Sequence, residues 1–174
     1  MVAGSNLVDQ WVIVRAAVAI VIAAVLDAVI APYLSFGWFS PKFTIVAIVF
    51  AASGLRHLQG ILLGFFGGVL LDALGGGLFG AGAVGGLIAG ALSVRYGDVM
   101  TRGAARFVLA QLAGVAVAAY DLVQLAAYNL LGLDVPSLGT YVFSGMLPDA
   151  LANALLAFLV GGWLLRTIRK DGAG

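Results

Sequence analysis

A chain of 174 residues that is 63% hydrophobic and 10% charged, with a mean hydropathy of +1.11, cannot cover itself with polar surface, since a soluble domain carries about 25% charge. The composition is that of an integral membrane protein, and a formal net charge of +1 gives no basis for nucleic-acid binding. With no cysteine and one histidine, disulfides, thiol chemistry and multi-histidine metal sites are excluded, and no cofactor is expected.

The length suits about six spans of roughly 20 residues each, with little left for loops. We therefore expect an all-α protein with six transmembrane helices, forming one polytopic membrane domain over residues 1–174. The first predicted span runs from Trp11 to Ala31 and stops at Pro32. Arg15 lies inside this apolar run rather than before it, which is not the layout of a cleavable signal. The second opens at Ser40-Pro41, where serine can cap free amides and proline suits a first turn, and ends near Ser53-Gly54. The third covers Leu58 to Leu74 and is broken by Gly75-Gly76-Gly77. The fourth covers Leu78 to Val94, the fifth Ala104 to Leu131 and the sixth Thr140 to Ile168. Spans two to four are short, so they lie under thinned lipid or one of them is re-entrant. In the sixth, Pro148 removes an amide donor and opposes the carbonyl of Ser144, which with Gly145 nearby predicts that the helix kinks or opens beside Asp149.

With six spans, Arg15, Arg56, Arg95, Arg102, Arg106, Arg166, Arg169 and Lys170 fall on one side and only Lys42 on the other. By the positive-inside rule both termini of this multi-pass chain are expected to be cytoplasmic. Trp11 and Trp163 then sit at the cytoplasmic interface, and Tyr33, Trp38 and Tyr141 at the outer one. The basic loop from Arg95 to Arg106 reads as attraction to anionic membrane lipid or as a docking point for a cytosolic protein.

Residues four apart share a helix face. Gly60, Gly64 and Gly68 therefore form one stripe, continued by Asp72, and Gly82, Gly86 and Gly90 form a second. Such stripes let two backbones approach closely. They serve either internal helix packing, as a tight hairpin of spans three and four or with each seated against another helix, or the docking of a partner. Gly75 to Gly80 matches a dinucleotide fingerprint in spacing only, because a membrane helix and not a strand precedes it.

Asp27, Asp72, Asp121 and Asp149 lie inside predicted spans, all in the outer half. Four aspartates facing lipid would cost on the order of 10 kcal/mol at about 2.5–3.5 kcal/mol each, so they should face the bundle interior or a wet cavity. Asn153, four residues after Asp149, and Tyr120, Gln124, Tyr128 and Asn129 are candidate neighbours. Lys42 is placed at the outer edge, so hydrogen-bonded, hydrated or protonated acids are expected rather than salt bridges. The alternatives for this intramembrane polar cluster are a cation route, a ligand pocket, a partner-docking point, or plain helix bonding with Asp72 capping the turn after Gly75. Tyr120-Asp121 resembles half of an intramembrane aspartyl protease motif, but Gly97-Asp98, in a loop, does not supply the other half. His57 reads as a headgroup-level residue.

The run from Pro41 through IVAIVFAASG, then GILLGFFGGVLLDALGGGLFGAGAVGGLIAG, resembles the rod shape-determining protein MreD family. The matching positions are Gly60, Gly64, Phe65, Gly68 and Asp72, then Gly76, Gly80 and Gly90, with Pro148 and Asn153 in the last helix. The resemblance implies a scaffold without catalysis in the cell-wall elongation machinery. Its implied partners are an MreC-like bitopic protein, whose single membrane helix would dock in a glycine-lined groove, and the synthase RodA with its penicillin-binding transpeptidase. It also implies a fold similar to the substrate-binding subunits of energy-coupling-factor vitamin transporters. That similarity supplies an alternative role as a small-molecule transporter subunit, with the loop from Gly132 to Thr140 as a lid.

Overall fold

The computed structural model describes residues 3–37, 39–75, 78–97 and 105–168. Expectations that fall on Trp38, on Gly76 and Gly77, on loop residues 98–104 and on Arg169 and Lys170 lie outside the described residues, as do the side chains of Trp163 and Arg166. The helices are α1 (Ala3–Val29), a single turn α2 (Ala31–Leu34), α3 (Phe43–Ala52), α4 (His57–Gly75), α5 (Ala81–Gly97), α6 (Ala105–Leu130), a second single turn α7 (Leu138–Tyr141), a π-helical turn (Val142–Met146) and α8 (Leu147–Ile168).

Four stretches are long and apolar enough to cross a membrane: Gln10–Val29, His57–Gly75, Arg106–Leu130 and Leu138–Gly162. The apolar helices Phe43–Ala52 and Ala81–Tyr96 are shorter. At 1.5 Å per residue the ten residues of α3 rise about 15 Å, half of a hydrocarbon core of about 30 Å. The expectation of six spans is thus met by four helices of spanning length and two that fall short of it.

The shortest of these six helices is the hub. Thr44 through Ala52 are all buried, and α3 packs against α1, α4, α5, α6 and α8. Those five surround it in the cyclic order α1–α4–α5–α6–α8. Side chains on their outer faces, such as Val18, Leu62, Phe66, Val115, Leu151 and Leu155, are exposed, as the lipid-facing surface of a bundle should be.

The tightest seam joins α4 to α5, and its material is backbone. A methyl group added to Gly64 would strike the carbonyl oxygen of Gly86, one on Gly68 that of Gly82, and one on Gly90 that of Gly60. The two stripes face each other, and a Cβ at Gly60 would meet Val94 on α5 and Ala52 on α3. Two further glycines serve the opposite faces. Gly67 lies against Ile20 and Ile48, on α1 and α3, while Gly85 lies against the Tyr120 ring on α6. Each doublet, Gly67-Gly68 and Gly85-Gly86, lets one helix be pressed from two sides, because adjacent residues point about 100° apart on a helix.

Pro148 lies at the second residue of α8, directly after the π-helical turn Val142–Met146. The widened turn is where the chain absorbs a residue that cannot donate to the ladder and would crowd the Ser144 carbonyl.

Candidate functional site: a polar clasp and an open seam

At the end of the bundle where α3 begins, the buried acids do the work of helix caps. The first amides of any helix have no partner within it, and in lipid no water can serve them. Asp27 of α1 accepts the N–H groups of Phe43 and Thr44, each at 2.8 Å, and so caps α3 from a different helix. This corrects the assignment of Ser40 and Pro41 as cap and first turn: α3 starts two residues later, and Lys42 at its cap position offers no side-chain bond to it. Asp72 accepts from Gly80 and Gly82 at 2.8 Å and from Ala83 at 3.1 Å, capping α5. Gly80 makes that turn with φ of +105°, a conformation that side-chain-bearing residues rarely adopt.

Asp149 and Asn153 hold the linker that precedes α3. Ser40 N–H donates to Asp149 Oδ1 at 3.0 Å and Lys42 N–H to Asn153 Oδ1 at 2.8 Å. Asn153 Nδ2 donates to the Ser40 carbonyl at 3.1 Å and to Asp149 Oδ1 at 3.0 Å. The Lys42 ammonium pairs with Asp149 and, at 3.2 Å, with Asp121, and it lies 5.8 Å from the centroid of the Tyr120 ring. Asp121 and Asp149 are therefore salt-bridged, contrary to the expectation from sequence, while Asp27 and Asp72 are hydrogen-bonded to backbone amides. Lys42 turns inward from the edge because two carboxylates on α6 and α8 converge on it, and a buried ammonium needs them. Gln124 donates to the Tyr120 hydroxyl at 3.4 Å and the Tyr141 hydroxyl to the Asp121 carbonyl at 3.3 Å. Asn129 turns away, onto the Leu125 carbonyl.

A cavity of about 410 Å³ opens beside this clasp, lined among others by Asp27, Lys42, Asp72, Asp121 and Tyr141. Each of its carboxylates already accepts a bond from within the chain. Among the described residues no three metal-ligating side chains converge.

The second feature is where the ring fails to close. Four of the five seams around α3 are packed, but α1 and α8 barely touch. Between them runs a groove of about 380 Å³, floored by Phe43, Val46 and Ala47 of α3 and walled by a stripe of α1 from Trp11 to Leu26 and by Leu156 and Val160 of α8. At one end it is bounded by the clasp, since Asp27 on α1 and Asp149 on α8 both grip residues 40–44. The other end is that of Trp11, Arg15 and Val160. The glycine stripes are not part of this groove. They fill each other's space, which leaves no room for another helix between them.

Comparison with protein-family models matches rod shape-determining protein MreD over residues 6–170. The chain belongs to the MreD family. No curated protein matches, and no solved structure does, so the implied likeness to vitamin-transporter subunits has no structural counterpart there. The family is one of shape-determining proteins, and this member is a helical membrane protein with four helices of spanning length.

Two features of this MreD-family chain escaped the sequence reading. Lys42 at the centre of the clasp had one signal, that it is the lone cation on the side of four acids. The open seam had none, because α1 and α8 lie at opposite ends of the sequence.

Proposed function

We propose that this MreD-family chain is a non-catalytic membrane scaffold of the rod-shape, cell-wall elongation system. It docks the single membrane helix of an MreC-like bitopic protein along the mouth of the α1–α8 seam. The observation that carries this reading is the seam itself, the one break in the ring of helices around α3. An apolar helix laid there would complete the ring. In lipid, association is driven by packing rather than by hydrophobicity, so a concave, apolar face is the favourable place for it.

In this reading six crossings place both termini in the cytoplasm of an inner membrane, with α3 and α5 reaching across only part of the bilayer. The positive-inside count supports that orientation, and Lys42, the one cation on the outer side, is neutralised within the clasp. The clasp then lies at the outer end, where it fixes the loops that would orient a partner's external domain. RodA and its transpeptidase partner would be gathered through that assembly. The transporter alternative has no observation in its favour, because the acids that would bind a ligand are engaged as caps and ion-pair partners.

The test is a substitution that fills the groove without touching the packed seams. Ala19→Trp, on the α1 wall, should leave the protein folded and abolish co-purification with the MreC-like protein in mild detergent. A folded Ala19→Trp variant that co-purifies at the level of the unaltered chain would overturn the seam as the docking site.

A further inference from the structure

The seam is too narrow for a helix to enter, so a docked helix would lie over its mouth. Its α1 wall runs from Trp11 to Leu26, about 22 Å at 1.5 Å per residue. A volume of about 380 Å³ open to the centre of a water-sized sphere, spread over that length, corresponds to a groove about 7–8 Å wide once the sphere's radius of about 1.4 Å is added on each side, where a helix needs about 10 Å. A hydrocarbon chain fits such a groove. The lining is apolar with a single charged exception, Arg15, which stands one turn from Trp11 at the end away from the clasp. Trp11 is 64% exposed, and tryptophan beside arginine is the pairing found where an apolar surface meets headgroups. A guanidinium has five donors and can hold a phosphate in a two-pronged contact while keeping another partner.

We propose that, in the absence of its protein partner, the seam holds one anionic phospholipid, with the phosphate on Arg15 and one acyl chain along α1 and over Phe43, Val46 and Ala47. The charge complementarity selects the lipid, and the channel width selects a chain over a helix. Resting on the docking reading above, the lipid is the resident that an incoming partner helix displaces, so acidic-lipid content regulates assembly.

Phosphatidylglycerol and phosphatidylcholine are each titrated into delipidated chain in detergent, and retention is read by native mass spectrometry. The unaltered chain should retain one phosphatidylglycerol in preference to phosphatidylcholine. Arg15→Gln should weaken phosphatidylglycerol retention about tenfold, the scale of one lost charged contact, and leave phosphatidylcholine unchanged. Ala19→Trp, with an unchanged thermal midpoint, should abolish both. No preference for phosphatidylglycerol, or equal retention by Arg15→Gln, overturns the proposal. So does an Arg15→Gln variant that keeps its lipid but loses the MreC-like protein, since Arg15 would then serve an acidic group on the partner. The lipid measurements use no partner, so they can fail while the docking reading stands, and the co-purification experiment can fail while the lipid site stands.

Discussion

The α4–α5 seam and the α1–α8 seam are built from opposite materials. In the first, six glycines on two stripes bring the backbones together, and along its middle carbonyl oxygens lie where Cβ atoms would otherwise be. In the second, branched side chains such as Val18 and Ile22 of α1 and Leu156 and Val160 of α8 line the two sides and leave a channel between them over Phe43. Small residues close a seam in lipid because nothing but contact distance holds helices together there. Bulky ones hold it apart and present a surface. The chain therefore keeps its closest packing for itself, and the seam we propose as a docking site is the one without glycine.

That contrast can be broken most violently at the closed seam. Gly68→Leu should destabilise the protein by more than about 3 kcal/mol, because the obstacle is the Gly82 backbone and not a side chain that could rotate. Loss of a folded elution peak, or a collapse of the thermal midpoint in detergent, is the readout. A variant that folds normally would mean the two stripes do not meet.

Next in size is the clasp, which stands between the two seams by joining α1, α6 and α8 through the start of α3. Lys42→Met leaves Asp121 and Asp149 buried without their cation, a loss of about 3–5 kcal/mol. Adding Asp121→Asn should recover part of it, and thermal melting of the single and double variants gives the coupling. If the second change only adds damage, the pairing is not what holds the clasp.

Ala19→Trp should alter stability far less than either, while removing both partner and lipid from the open seam. The smallest effect is expected on the outer face of α4. Leu62 is 45% exposed, so Leu62→Ala should stay within about 0.5 kcal/mol, with partner and lipid binding unchanged. It is the control that separates the seam from ordinary lipid-facing surface.

Much of the closed seam could be read along the chain. Glycines four residues apart on two consecutive helices must lie on one stripe of each, and a short turn brings those stripes together. Asp72 followed by a glycine turn already suggested a cap. The doublets Gly67-Gly68 and Gly85-Gly86 were not read there, and the structure shows that they let each helix be pressed on two faces, against Ile20, Ile48 and Tyr120. Asp27 was harder. It is 16 residues from Phe43, whose amide it receives, and no local pattern marks an acid as the cap of another helix.

The residues by themselves determined that this chain lives in lipid, that its buried acids must be satisfied internally, and that two of its helices carry stripes suited to close backbone approach. Those results follow from composition and from the 3.6-residue period, which act locally. The tertiary structure decided which amides and which ammonium the acids would serve, and where the ring of helices would be left unclosed. Both depend on contacts between different helices, some across more than a hundred residues, such as Ser40 to Asp149, and they are fixed by how all the helices pack around α3 at once.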